Sequence, residues 1–281
     1  PLREAFIWAA TFLADRHIFA SRDVPYPKQL VPLAAIKVAL GKDADLISVS
    51  ERIIRWFWCG VLGELYGSAI ESRFARDIEM VPTWAKDQSQ PTPRTVQDAS
   101  FTESRLHSLR TRNAAAYKGI AALILAGGAR DWMEDKALDK VQYVDLAVDI
   151  HHVFPQKWCN ENGIDDEHRE SIVNKTTISA RTNRTIGGAA PSAYLPVVES
   201  RAQIDGPRLD ELINTHRIQP ELLRADDFDG YFRMRRESLC QLVESAIGKA
   251  VQRDIDQGFS EEDSAQFEPG DVLNEDSFTS D

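Results

Sequence analysis

The stretch Val148-Asp149-Ile150-His151-His152-Val153-Phe154-Pro155-Gln156 decides how this chain is read, together with Asn174-Lys175 and Thr182-Asn183-Arg184 further on. Tyr143 to Ile150 has the β-branched and apolar composition of a strand. Two histidines follow, and Pro155, which has no N–H to donate to a ladder, marks where the segment leaves its sheet. Asn174 and Asn183 lie nine residues apart, with a short β-like run, Thr176-Thr177-Ile178-Ser179, just after the first. Residues 141–184 thus differ in kind from the sequence around them.

Outside this stretch the period is helical. Leu30 to Leu40 is an apolar run with Pro32 in its first turn and Gly41, the common stop residue, just past its end. Glu51 to about Ile78 carries apolar residues three and four apart, and the spacing predicts one long helix. Pro82 to Ser100, rich in Pro, Gln, Asp, Ser and Thr, predicts a loop or internal joint. Asn113 to Ala126 predicts a helix stopped at Gly127-Gly128, and helical period returns over Arg208 to His216, Pro220 to Arg224 and Tyr231 to Val251.

The net charge of -11 does not exclude nucleic acid, because residues 254 to 281 hold ten acidic side chains and no Lys or Arg. The remainder carries 34 acids against 33 bases, and a near-neutral body can present a basic face. The tail has the composition of a disordered segment. Cys59, Cys159 and Cys240 are odd in number and widely spaced, which argues against a disulfide framework or a cysteine zinc site. No apolar run approaches the ~18 residues needed to span a bilayer, so a soluble, cytoplasmic protein is expected. Neither a phosphate loop nor G-x-G-x-x-G occurs, so no nucleotide site is expected. The chain begins at Pro1 in an amphipathic segment and reads as a piece of something longer.

The pattern D-x-H-H-[VI]-F-P-[QK], with the later N-K and T-N-R, resembles the HNH, or ββα-metal, nucleases, in which two short strands and a helix cradle one divalent ion. It looks most similar to the C-terminal nuclease region of GmrSD-type modification-dependent restriction proteins and the related SspE anti-phage proteins. The specific motif covers Asp149 to Arg184, and Ala189 to Leu195 is similar less specifically.

The resemblance implies a role for each residue. His152 matches the general base, and imidazole has the unperturbed pKa suited to deprotonating water near neutrality. His151 and Asn183 match metal-ligand positions. Asn174 matches the asparagine of the motif's middle letter, which bonds loop backbone and so holds the base. Asp149, on the same strand face as His151, is open between a further metal ligand and a partner to a histidine. Arg184 is read as a phosphate clamp, with Lys175 and Arg181 adding attraction to the backbone. Asn183 stands where many such nucleases carry a histidine, and one imidazole, one amide oxygen and waters favour Mg²⁺ or Mn²⁺ over a zinc cage. Adjacent strand residues face opposite ways, so both histidines cannot contact the metal if the strand stays regular, and the strand is expected to break here, with His151 turned to the metal and His152 to the water. His107, His168 and His216 lack such a context and read as surface residues, and His17 is given no role.

The fold expected is mainly α, with a small ββα-metal (HNH) element inserted between helical regions. It divides into an N-terminal helical region (1–130), the nuclease element (131–200), a C-terminal helical region (201–253) and a disordered acidic tail (254–281). The function implied is a metal-dependent DNA endonuclease or nickase, the effector part of a bacterial restriction or anti-phage protein. DNA is the expected partner. In the resembling family an upstream nucleotide-hydrolysing domain controls the nuclease. The alternative is a catalytically inactive HNH-like module that binds nucleic acid or regulates.

Overall fold

The structure, a computed structural model, describes residues 1–67, 70–134, 136–138 and 148–255. It opens with helices α1 (Leu2–Ala14), α2 (Leu30–Leu40), α3 (Ile47–Leu62), α4 (Ile70–Lys86), α5 (Arg94–Asp98), α6 (Arg105–Ser108) and α7 (Ala115–Ala126). Strand β1 (Asp149–His152) is followed by α8 (Gln156–Glu161), α9 (Asp166–Glu170) and strand β2 (Lys175–Ile178). Five helices complete the chain: α10 (Ala180–Ile186), α11 (Pro191–Ala202), α12 (Gly206–Asn214), α13 (Pro220–Arg224) and α14 (Phe228–Ile247). The molecule is mainly helical, and its described residues hold one two-stranded sheet. No helix among them is long and apolar enough to cross a membrane. The first part of the strand-like run from Tyr143, and the acidic tail beyond residue 255, lie outside the described residues.

Two helical expectations are corrected. The run from Glu51 to Ile78 forms two helices rather than one: α3 ends at Gly63, where a Cβ would stand 2.8 Å from the Cys59 carbonyl, and Glu64 then takes a φ of +51°. Nor does Pro82 open a loop. The helix runs through it to Lys86 because Val81 before it and Trp84 and Ala85 after it are buried, and their packing outweighs the hydrogen bond that proline removes. Residues 94–98, also expected in the loop, are helical.

One apolar cluster joins the helices before and after the sheet, from Ala9 to Val251. Gly119 lets α7 press onto α3, since a Cβ there would meet Val61 at 2.7 Å. The long helix α14 packs on α3 and α7 and on the residues 172–174 that lead into β2. At its C-terminus Arg55 of α3 donates to the Ile247 carbonyl at 3.0 Å, and nearer its start Tyr231 and Arg235 reach the backbone on either side of Asn174.

His107 and His216 are not surface residues, as their lack of motif context had suggested, but buried ones. His216 Nε2 lies 2.7 Å from the Arg130 carbonyl and must carry the proton, so the Thr176 hydroxyl donates to Nδ1 at 2.8 Å. Burial pushes His216 down to about 4, although the bond to the Arg130 carbonyl opposes the shift. Burial, helped by the charge of His168, takes His107 to about 4 as well. Both folded values lie below the unfolded value of about 6.5. The unfolded chain therefore takes up protons first as pH falls, and the stability these neutral imidazoles contribute is present above about pH 6.5 and lost toward pH 4. We predict that the His216 ring titrates by NMR with a midpoint below about 5; a midpoint near 6.5 would contradict the buried neutral tautomer.

Candidate functional site

The two strands pair antiparallel, with Asp149 opposite Ile178, Ile150 opposite Thr177, His151 opposite Thr176 and His152 opposite Lys175. The ladder is regular through both histidines, so the expected break between them is absent; the strand ends after His152 instead. The turn beyond it is fixed by Asn174, which is fully buried. Its Oδ1 accepts from the Phe154 N–H at 2.9 Å, and its Nδ2 donates to the Phe154 carbonyl at 2.9 Å and the Arg169 carbonyl at 3.1 Å. The Asn174 carbonyl takes the Val153 N–H at 2.9 Å, and the Tyr194 hydroxyl donates to the Val153 carbonyl at 3.0 Å. Phe154 packs into the rings of Trp158, Phe228 and Tyr231.

This turn forms one wall of an open cavity lined by His151, His152, Pro155, Gln156, Lys157, Asn183, Gly187 and Gly188. Asn183 reaches it from α10, whose start is set by buried Asp131. That carboxylate accepts from the Ser179 N–H and the Thr182 hydroxyl, both at 2.8 Å, while the Ser179 hydroxyl caps the helix through the Thr182 N–H at 3.1 Å. The half-buried Asn183 side-chain amide bonds to none of the described residues.

The two histidines differ in surroundings. His151 Nε2 is buried without a hydrogen-bond partner among the described residues, and burial together with the Arg112 charge lowers its pKa and keeps it neutral. His152 Nε2 lies 3.1 Å from Glu170 Oε2. Glu170 is itself held by Gln156 at 2.7 Å, by Arg169 at 3.0 Å and by Lys175 at 3.1 Å. Burial alone would raise the Glu170 carboxyl, but those donors outweigh it and push the value down to about 2. Glu170 is therefore a carboxylate, and the Nε2 facing it carries hydrogen, which leaves the basic lone pair of neutral His152 on Nδ1. Burial lowers the His152 pKa, with Glu170 opposing.

No family model matches the chain, and no solved structure matches it. It is similar to an uncharacterized protein of the archaeon Methanocaldococcus jannaschii, 26% identical over 168 residues, which cover 58% of this chain and 28% of that protein. The chain thus spans less than a third of the relative it matches.

The remaining residues singled out in the sequence are dispersed. Asp149 does not line the cavity; its carboxylate is engaged by Arg112. Lys175 is buried, donating to the Arg110 carbonyl at 2.8 Å as well as to Glu170, and does not reach outward to a phosphate. Arg181 is paired with Glu134 at 3.6 Å. Arg184 is exposed on α10 with no ion pair among the described residues. Those residues also contain no group of three or more His, Cys, Asp or Glu placed to hold an ion. The donor set at the cavity is therefore one orphaned imidazole nitrogen and one amide, which fits a hard divalent ion that keeps most of its waters and does not fit a zinc cage.

Asn174 and Asn183 should separate cleanly on mutation. Asn174→Ala strands the Phe154 N–H and two carbonyls in the interior and is expected to cost about 3 kcal/mol in urea denaturation. Asn183→Ala should change stability by less than about 0.5 kcal/mol. Similar losses for both would contradict the buried bonding of Asn174.

Proposed function

We propose that this chain is a divalent-metal-dependent nuclease of the HNH type that cuts a DNA phosphodiester, with β1, β2 and α10 as its ββα unit. The observation that carries this reading is the convergence of His151, His152 and Asn183 on one open cavity, with His151 Nε2 buried and without a partner among the described residues. His151 and Asn183 would hold the ion, Mg²⁺ or Mn²⁺. A divalent ion supplies positive charge against the negative charge that builds on the phosphate and on the leaving oxygen.

The chain's own residues supply the proton chemistry. His152, with Nε2–H fixed on Glu170, accepts a proton from water at Nδ1 as the water oxygen bonds to phosphorus and the bond to the leaving oxygen breaks. Glu170 holds the tautomer and stabilises the imidazolium that forms, in the manner of a carboxylate behind a catalytic histidine. Asp149, paired with Arg112, would act on the site through the orientation of β1. Arg184, exposed on the helix that carries Asn183, would meet a DNA strand passing on that side. The setting that fits is the effector part of a restriction or anti-phage protein, in which a longer chain carries the sensing function.

The test is nicking of supercoiled plasmid. Wild-type protein should nick with Mg²⁺ or Mn²⁺ and not with EDTA, and His152→Ala should lower the rate by ~10²-fold or more while DNA binding in EDTA is kept. A variant that retains more than about a tenth of the wild-type rate is incompatible with a general base at this position, whose loss removes 10²-fold or more.

A further inference from the structure

A second cavity, formed by α4, the start of α5 and the turn after α3, is lined by Glu64, Leu65, Gly67, Ser72, Arg73, Arg76, Asp77 and Arg94 and shares no residue with the histidine cavity. Arg73 and Arg76 stand three residues apart on α4 and so lie on one face of it, while Arg94 comes from the next helix. The acids around them are committed elsewhere or shared. Glu64 is paired with Arg105 through both oxygens, at 2.8 and 2.9 Å. Asp77 is buried beneath the cavity, accepting from the Tyr66 hydroxyl at 2.5 Å and the Thr95 hydroxyl at 2.8 Å. Asp98 is divided between two guanidinium groups at long range, Arg73 at 3.4 Å and Arg94 at 3.9 Å. Arg76 has no carboxylate partner among the described residues. Three cations thus face one cavity against two carboxylates, Asp77 buried beneath them and Asp98 loosely shared, and the excess positive charge favours entry of an anion.

We propose that this cavity is a phosphate-binding site, in which Arg73, Arg76 and Arg94 take the oxygens of one phosphoryl group. A phosphoryl group is favoured over a carboxylate because guanidinium forks arriving from two helices need acceptors on several sides, and a tetrahedral oxyanion presents them where a planar carboxylate presents two. The inference does not depend on the nuclease reading, since neither cavity uses the other's residues. The phosphoryl group could belong to a small phosphate compound or to a nucleic-acid strand passing α4.

Calorimetric titration of the full chain with inorganic pyrophosphate, in a low-salt buffer free of other phosphate, tests the site. Arg76→Glu and Arg94→Glu change exposed side chains and are expected to leave the thermal midpoint of unfolding unchanged, so loss of binding is not loss of fold. The wild type should bind pyrophosphate saturably, each variant about tenfold or more weakly, as expected when one charge-assisted contact is lost, and succinate should not compete. A parallel anisotropy titration with a single-stranded oligonucleotide in EDTA identifies the source. Weakening of both ligands by the variants assigns the phosphoryl group to a strand, and weakening of pyrophosphate alone assigns it to a small molecule. No saturable pyrophosphate binding, equal affinity in the variants, or equal competition by succinate overturns the proposal.

Discussion

A ladder of four residues a side is too small to stand in water. Asn174 is what makes one possible here, because its single amide closes the backbone of the turn after β1 from both directions. By taking the Phe154 N–H and giving to the Phe154 and Arg169 carbonyls, it ties the end of β1, the end of α9 and the start of β2 into one buried knot. An aspartate of the same size could accept the N–H but could not donate to the carbonyls, and a leucine could do neither. The position of His152, one residue before the turn, follows from that knot.

The adjacent histidines are the same residue type in unlike surroundings. His151 is left with a buried nitrogen that has no partner among the described residues, a state that costs free energy unless another group satisfies it. His152 is over-determined: Glu170 fixes its outer nitrogen, and three donors fix Glu170. One imidazole nitrogen is left without a partner among the described residues while the neighbouring ring is held in place.

Much of this was legible in the sequence, and the remainder was not for physical reasons. The ends of α2 and α7 were marked by glycines, and the short β-like run at Thr176 was marked by β-branched residues, all local signals. The division of the Glu51 to Ile78 run was not, because α3 and α4 are both apolar at helical spacing and the break rests on a close approach at Gly63. The histidines and asparagines of the site were legible as a motif, yet Glu170 and Asp131 were not. Glu170 lies 18 residues from the histidine it holds, and Asp131 lies 48 residues from the serine N–H it accepts, in a stretch without periodicity. His216 was misplaced on the surface for the same reason: its partners, Thr176 and Arg130, are 40 and 86 residues away. A side chain that acts through tertiary hydrogen bonds leaves no trace in local spacing.

Those long-range bonds explain why so small a sheet sits within so large a helical body. Arg235 is fully buried in α14, and its Nη2 donates to the Lys175 carbonyl at 3.0 Å. Lys175, on the strand opposite His152, in turn supports Glu170, and Glu170 holds His152. Arg235 Nε and Nη1 find no partner among the described residues, and that cost of a buried charge must be offset by the packing around it. That packing is the apolar contact of α14 with α3 and α7. The orientation of the His152 imidazole thus rests, through Glu170 and Lys175, on a strand that α14 holds from the core.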